Sequence, residues 1–155
     1  MFETIVWATD GSDLANRALE TVKDLAAIHD SKVVAVHVNE LVPGRYGGAP
    51  LRADEPDLRD QLAGQVDELF AAGVNASLEI RTGHRDVATQ IAQAAEDFDA
   101  DLIVVGTHGR GVVAGAVWGS VAKGLCHASH RPVLVVPPAR SADRSSGEVE
   151  RLTTA

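Results

Sequence analysis

Hydrophobic residues fall into five short runs, separated by longer stretches in which they recur every three or four positions. The short runs are predicted strands, at residues 4–8, 32–38, 76–80, 102–105 and 133–136. Four of them are rich in Val and Ile with little alternation, which is typical of parallel strands covered on both faces. The run at 76–80 alternates apolar and polar residues, which predicts an edge strand.

The longer stretches have the period of amphipathic helices. The predicted apolar stripes are Leu14, Ala18, Val22, Leu25 and Ile28; Leu58, Leu62, Val66 and Leu69; Val87, Ile91, Ala94 and Phe98; and Val117, Val121 and Leu125. Strands and helices therefore alternate as βαβαβαβαβ. This order predicts an α/β fold with an open, five-stranded parallel sheet and helices on both faces.

Two segments do not fit this alternation. Residues 41–56 contain three prolines and three glycines and are predicted to form a loop between the second strand and the second helix. Residues 139–155 are polar, carry both signs of charge and have no apolar stripe, so we expect a disordered tail. The prediction is therefore one domain at residues 1–138, followed by this tail.

Composition narrows the class of protein. A chain of 155 residues can bury about 70% of its unfolded surface in one domain. A net charge of −8 argues against a general nucleic-acid or membrane-surface binder. The single cysteine, Cys126, excludes an intrachain disulfide and fits a reducing compartment. Neither a signal peptide nor an apolar run of membrane-spanning length is recognised, so we expect a cytoplasmic protein.

The strongest candidate chemistry follows the fourth predicted strand. From Gly106 to Ser120 the chain reads G-x2-G-x9-G-S, a segment called the glycine run below. Glycines at a strand's carboxyl end let backbone N–H groups approach an anion, and a Ser that opens a helix adds a hydroxyl and a helix N-terminus. The run therefore predicts a phosphate site. It is neither a Walker A loop nor a Rossmann fingerprint, because both spacings are missing.

The first predicted strand also ends in polar residues, Thr9-Asp10-Gly11-Ser12. Ligands of open α/β sheets bind beyond the carboxyl ends of the strands, where the winding direction reverses. If the chain crosses back after the third strand, Asp10 and Gly106 face each other across one crevice. Asp10 or Ser12 can cap the first helix. A cap by Ser12 would leave Asp10 for the ligand.

With these motifs the chain resembles the nucleotide-binding branch of the universal stress protein family. The resemblance covers about residues 2–138 and rests on the polar end of the first strand, on His37-Val38, on the glycine run and on residues 131–137. It implies a Rossmann-like sheet of order 3-2-1-4-5, a role in stress response with ATP at the switch point, and a homodimer paired through Val133–Val136. We expect Mg²⁺ to accompany ATP through the phosphates.

The resemblance also implies roles for individual residues. Asp10 would contact the ribose, and backbone at Val38 would meet adenine. The phosphates would be held by Gly109, Gly119, Ser120 and Val121. The full predicted nucleotide site consists of Ala8, Thr9, Asp10, Val38, Gly106, Thr107, His108, Gly109, Arg110, Gly119, Ser120 and Val121.

Histidines and the cysteine suggest no further site. The last helix is predicted to end between His127 and His130, close to Pro132, and no third ligand accompanies them, so a zinc site is not expected. His108 fits a phosphate contact and a solvent-exposed position equally well. Cys126 is predicted to be a small buried hydrophobe.

Three functions are compatible with these features. The first is a regulatory ATP-binding dimer. The second is a slow ATP hydrolase or nucleotide-transfer enzyme, which needs a base and an acidic Mg²⁺ site; the glycine run offers only His108 and Arg110, and no catalytic residue is predicted. The third is a protein that binds another adenine nucleotide such as cyclic AMP, or a scaffold without a ligand.

Overall fold

Strands and helices alternate through the chain in its computed structural model, which describes residues 1–40, 55–83, 86–107 and 119–138. The strands are β1 (Thr4–Ala8), β2 (Lys32–Glu40), β3 (Ala76–Gly83), β4 (Leu102–Gly106) and β5 (Val133–Val136), and the helices are α1 (Asp13–His29), α2 (Glu55–Ala71), α3 (Val87–Asp97) and α4 (Ser120–Ala128). β1 and β5 have their predicted bounds. β2 and β3 run past their last predicted residues because they pair with each other as far as Glu40 and Gly83.

The five strands form one parallel sheet of order β3-β2-β1-β4-β5. The predicted Rossmann-like architecture is therefore confirmed, including the edge position of β3. Winding reverses between β1 and β4, which are neighbours. Ala8 pairs with Val36 on one side and with Val105 on the other, so the carboxyl ends of three strands lie at one edge of the sheet.

The core has two layers, one on each face of the sheet. Alternate residues of β1 point to opposite faces, and Ile5 and Trp7 pack with α1 and α2 while Val6 and Ala8 pack with α3 and α4. Outside Trp7, the buried side chains of both layers are almost all Val, Leu, Ile and Ala. These two layers hold the helix N-termini at the same edge as the strand ends.

Two positions were predicted on the wrong side of a helix. Ile28 is 73% exposed, because the buried line of α1 runs through Leu19, Val22 and Ala26, and a residue two positions beyond Ala26 lies about 200° further round the helix. Cys126 is exposed for a similar reason: it follows the buried Leu125 by about 100°. The stripe of α2 is confirmed, since Leu58, Leu62, Val66 and Leu69 are all buried.

Some predictions fall outside the described residues. These are residues 41–54 of the predicted loop, residues 108–118 of the glycine run, and the tail at 139–155. The last two residues of the predicted loop, 55 and 56, belong instead to the first turn of α2. Among the described helices, none combines the length and the hydropathy that crossing a membrane requires.

Candidate functional site

The two polar strand ends predicted to meet do lie side by side. β1 pairs with β4 up to Ala8 and Val105, so Thr9 and Asp10 lie beside Gly106 and Thr107 at the switch point of the sheet. Open α/β sheets place their ligands at such a point.

Val38 reaches the same edge from β2. The Thr9 N–H donates to the carbonyl oxygen of Val36 at 3.0 Å. Alternate residues of a parallel strand direct their backbone groups to the same neighbour, so Val38 also faces β1. Val38 lies two residues after Val36, whose partner Ala8 is the last paired residue of β1. The backbone groups of Val38 therefore point past the paired part of β1.

The turn between β1 and α1 is held by its own side chains. Thr9 Oγ1 accepts from the Gly11 N–H at 3.2 Å, and Asp10 Oδ1 accepts from the Ser12 N–H at 3.0 Å. Ser12, one of the two residues that the sequence allowed as a cap, is the N-cap of α1, and its Oγ accepts from the Ala15 N–H at 3.3 Å. Gly11 has φ of +73°, a left-handed conformation that glycine adopts without a Cβ clash. The Asp10 carboxylate therefore helps to shape the turn rather than capping the helix.

Two side chains from other elements contact the backbone of this turn. The His37 ring on β2 is buried, and its Nδ1 lies 3.0 Å from the carbonyl oxygen of Thr9. From α2, Gln61 donates to the carbonyl oxygen of Gly11 at 2.9 Å. The carbonyl groups on both sides of Asp10 thus have donors. Nothing in the sequence pointed to Gln61, and His37 was identified only as part of a resemblance.

Thr107, the residue that follows β4, carries a buried hydroxyl. The Thr107 N–H donates to Val136, and its carbonyl oxygen accepts from Gly119. Its side chain is 8% exposed, and Oγ1 has no hydrogen-bond partner among the described residues. A buried hydroxyl without a partner costs about 1–3 kcal/mol. A polar ligand at this edge could supply the missing partner.

The N-terminus of α4 lies next to Thr107 and has an unusual cap. Its N-cap is Gly119, which has no side chain to bond the first N–H groups, and its first turn contains no acidic residue. α1 and α3, by contrast, are capped by the side chains of Ser12 and Asp86. The first N–H groups of a helix and the positive end of its dipole favour an anion, so this helix end is suited to one. Ser120 is exposed and Val121 half-buried at this end.

Several predicted site residues cannot be compared with this geometry. His108, Gly109 and Arg110 lie outside the described residues. Within the described ranges, no three His, Cys, Asp or Glu side chains are grouped so that they could hold a metal ion. α4 ends at Ala128, between His127 and His130, as predicted.

A pocket of about 400 Å³ lies at the opposite edge, between the ends of α1 and α2 and the starts of β2 and β3. Two of its polar groups are already engaged: Ser31 Oγ donates to the Phe2 carbonyl, and the Lys32 N–H donates to Glu3. We take the carboxyl edge as the candidate site, because within the described part of the chain it combines a buried hydroxyl that lacks a partner with a helix N-terminus that no side chain caps.

Known proteins provide an independent comparison. The model of the universal stress protein family matches residues 1–137. The Thermus aquaticus protein "Universal stress protein in QAH/OAS sulfhydrylase 3'region" is 36% identical over 138 residues, which cover 88% of this chain and 99% of the relative. The solved structure of MJ0577 from Methanocaldococcus jannaschii is 26% identical, with a TM-score of 0.80 over 91% of this chain and 99% of that one. A universal stress protein solved in complex with cAMP is also 26% identical, with a TM-score of 0.67 over 88% of this chain and 97% of that one.

Proposed function

Because the chain belongs to the universal stress protein family, we propose that it is an ATP-binding regulatory protein of the stress response. It acts as a nucleotide-dependent homodimer in the cytoplasm. Residues 1–138 form the nucleotide-binding domain, and residues 139–155 form a separate polar tail. The nucleotide changes the shape of the dimer or its preference for partners.

One observation carries the proposal. Three groups suited to different parts of a nucleotide converge at the switch point: the Asp10 turn, the Thr107 hydroxyl and the uncapped N-terminus of α4. A carboxylate accepts hydrogen bonds from ribose hydroxyls, and a helix N-terminus binds phosphate. A nucleotide offers both groups on one molecule.

Adenine would bind to the backbone of Val38, at the end of β2. Val38 directs its backbone N–H and carbonyl oxygen past the end of β1, so it presents one donor beside one acceptor. Adenine presents a ring-nitrogen acceptor beside an amino donor, which is the complementary pair. Mg²⁺ would be held by the phosphates, and the glycine run, including His108, Gly109 and Arg110, would contact them.

A second ligand has a specific observation in its favour. The relative solved with cAMP has the same fold and is 26% identical. The turn that contains Asp10, the N-terminus of α4 and the backbone of Val38 would also accept the ribose, phosphate and base of a cyclic nucleotide. Cyclic AMP is therefore the alternative ligand to test.

The first experiment identifies what the protein carries. The purified protein is denatured and the supernatant analysed by mass spectrometry, and the emptied protein is then titrated with ATP, AMP and cAMP by calorimetry, with and without Mg²⁺. We expect one ATP per chain and tighter binding with Mg²⁺. Binding of no adenine nucleotide would refute the proposal and leave a scaffold without a ligand.

A double variant tests the glycine run. Gly109→Val with Gly119→Val should abolish binding, because the new side chains would occupy the space that phosphate needs. Gly119 has φ of −69° and ψ of 160°, an extended conformation that valine also adopts, so this substitution adds bulk without backbone strain. Gly64→Val on α2, where nothing lies within 4 Å of the added Cβ, is the matched control and should bind as wild type does. Unchanged affinity in the double variant would contradict the assignment.

A further inference from the structure

The β1–β2 ladder stops at the candidate site in an unusual way. The Thr9 N–H donates to Val36, so the next bond of a regular parallel ladder would run from the Val38 N–H to the Thr9 carbonyl oxygen. That bond is missing from the backbone hydrogen bonds of the described residues. Instead, the Thr9 carbonyl oxygen has His37 Nδ1 at 3.0 Å.

The chemistry of this contact decides where the ring proton lies. A carbonyl oxygen only accepts hydrogen bonds, so His37 Nδ1 must carry a proton and donate it. The ring is buried, and the Thr9 carbonyl oxygen therefore has a donor at the point where the ladder ends.

We propose that His37 is a positioning residue for base recognition: by supplying a donor to the Thr9 carbonyl oxygen, its ring leaves the Val38 N–H for adenine. This inference rests on the proposed function, because it explains how the Val38 N–H of that site stays out of the sheet. If His37 cannot donate, the Thr9 carbonyl oxygen loses this donor, and a bond from the Val38 N–H, which continues the ladder, becomes the way to satisfy it. The base then loses its donor.

Gln61 has a related but separate role. It donates to the Gly11 carbonyl oxygen, on the other side of Asp10, and does not compete for Val38. It therefore positions the ribose-binding turn without affecting the choice of base. The two side chains predict different outcomes for different nucleotides.

The test compares ATP with inosine triphosphate, whose base has a carbonyl in place of the amino group and a proton on the neighbouring ring nitrogen, so that this nitrogen cannot accept from the Val38 N–H. His37→Leu should weaken ATP binding about tenfold, the equivalent of one hydrogen bond, and should weaken inosine triphosphate binding much less. His37→Asn places an amide N–H near the position of Nδ1 and should restore most of the preference for ATP. An unchanged ratio of the two affinities in His37→Leu would overturn the proposal.

Gln61→Ala provides the second variant, at an exposed position where misfolding is not expected. It should weaken the binding of ATP and of inosine triphosphate by the same factor, about threefold. Gln93→Ala is the matched control, because Gln93 is an exposed helical glutamine that donates to Asp97 on α3, away from the site. A change of base preference in Gln61→Ala would contradict the division of roles.

Two measurements without nucleotide separate this inference from the proposed function. Nitrogen NMR of the wild-type imidazole should place the proton on Nδ1, and a proton on Nε2 alone would overturn the contact. Amide hydrogen exchange should show Val38 less protected in wild type than in His37→Leu, and equal protection would overturn the ladder argument. If both results hold and wild type binds no adenine nucleotide, the proposed function fails and the adenine role of His37 fails with it.

Discussion

Gly124 of α4 meets Ala88 of α3 at a point where no larger residue fits. A Cβ on Gly124 would lie 2.6 Å from the Cβ of Ala88, well inside normal van der Waals contact. α3 and α4 cover the same face of the sheet, and the N-terminus of α4 is the candidate phosphate site. The close contact therefore fixes both the packing of this layer and the position of that helix end.

Gly124→Ala should destabilise the protein by about 1–3 kcal/mol, because the two helices must move apart to admit the methyl group. Urea denaturation measures the free energy of unfolding. Gly64→Ala is the control, since the added methyl group meets nothing within 4 Å and alanine favours a helix over glycine by about 1 kcal/mol. A Gly124→Ala variant as stable as the Gly64→Ala variant would show that the α3–α4 contact adapts freely.

Stability should depend on pH through Asp101. Its Oδ2 accepts from the Thr4 N–H at 3.0 Å and from the Glu3 N–H at 2.7 Å, and these bonds hold the pKa of the carboxyl below its ordinary value. A pKa that is lower in the folded state gives stability that is present at neutral pH and is lost as the pH falls below about 4.

Asp101→Asn removes this charge while keeping the shape of the side chain. We expect the free energy of unfolding to fall by about 1 kcal/mol at pH 7, and the difference from wild type to shrink as the pH approaches 3. Asp24→Asn, at an exposed position of α1, provides the same loss of charge elsewhere. A difference between wild type and Asp101→Asn that stays constant with pH would contradict the role of the ionised carboxylate.

We expect a homodimer paired through β5. This strand lies at one of the two edges of the sheet, opposite β3, and Leu134 on it is 36% exposed. An apolar edge strand of this kind favours pairing with another copy. Light scattering of wild type at micromolar concentration should give the mass of a dimer, and a monomer would contradict the prediction.

Val135→Pro should weaken the dimer without breaking the sheet of one subunit. Pro132 and Val136 direct their carbonyl oxygens to β4, so the alternation of a strand turns the backbone of Val135 outward. Proline there removes a donor from the free edge only. By the same alternation the backbone of Leu134 faces β4, so Leu134→Pro should lower the midpoint temperature of unfolding of the subunit itself. Equal dimer affinity in wild type and Val135→Pro would exclude pairing through this edge.

ATP turnover should be very slow or absent, because no residue pair predicted at the site forms an activated nucleophile with its orienting group. Efficient enzymes turn over at about 10 per second. Phosphate release from ATP is measured with wild type and with the Gly109→Val and Gly119→Val double variant, which reveals any contaminating activity. A rate near that of an efficient enzyme, lost in the double variant, would establish the hydrolase alternative.

The sequence alone determined the features that depend on local pattern. The α/β class, the bounds of β1 and β5 and the edge position of β3 all follow from spacing within a few residues of the chain, which left Asp10 and Ser12 as alternative caps of α1. The same local reasoning was wrong for Ile28 and Cys126. Apolar spacing identifies a helix, but which residues along it are buried depends on how the helix is rotated against the sheet.

Only the tertiary structure determined the contacts that shape the site. His37 and Thr9 are 28 residues apart, and Gln61 and Gly11 are 50 apart, and no spacing rule links either pair. They meet because β2 pairs with β1 in one register and α2 packs over the same face as α1. A shift of one residue in that register would turn the His37 ring to the opposite face and away from the Thr9 carbonyl oxygen.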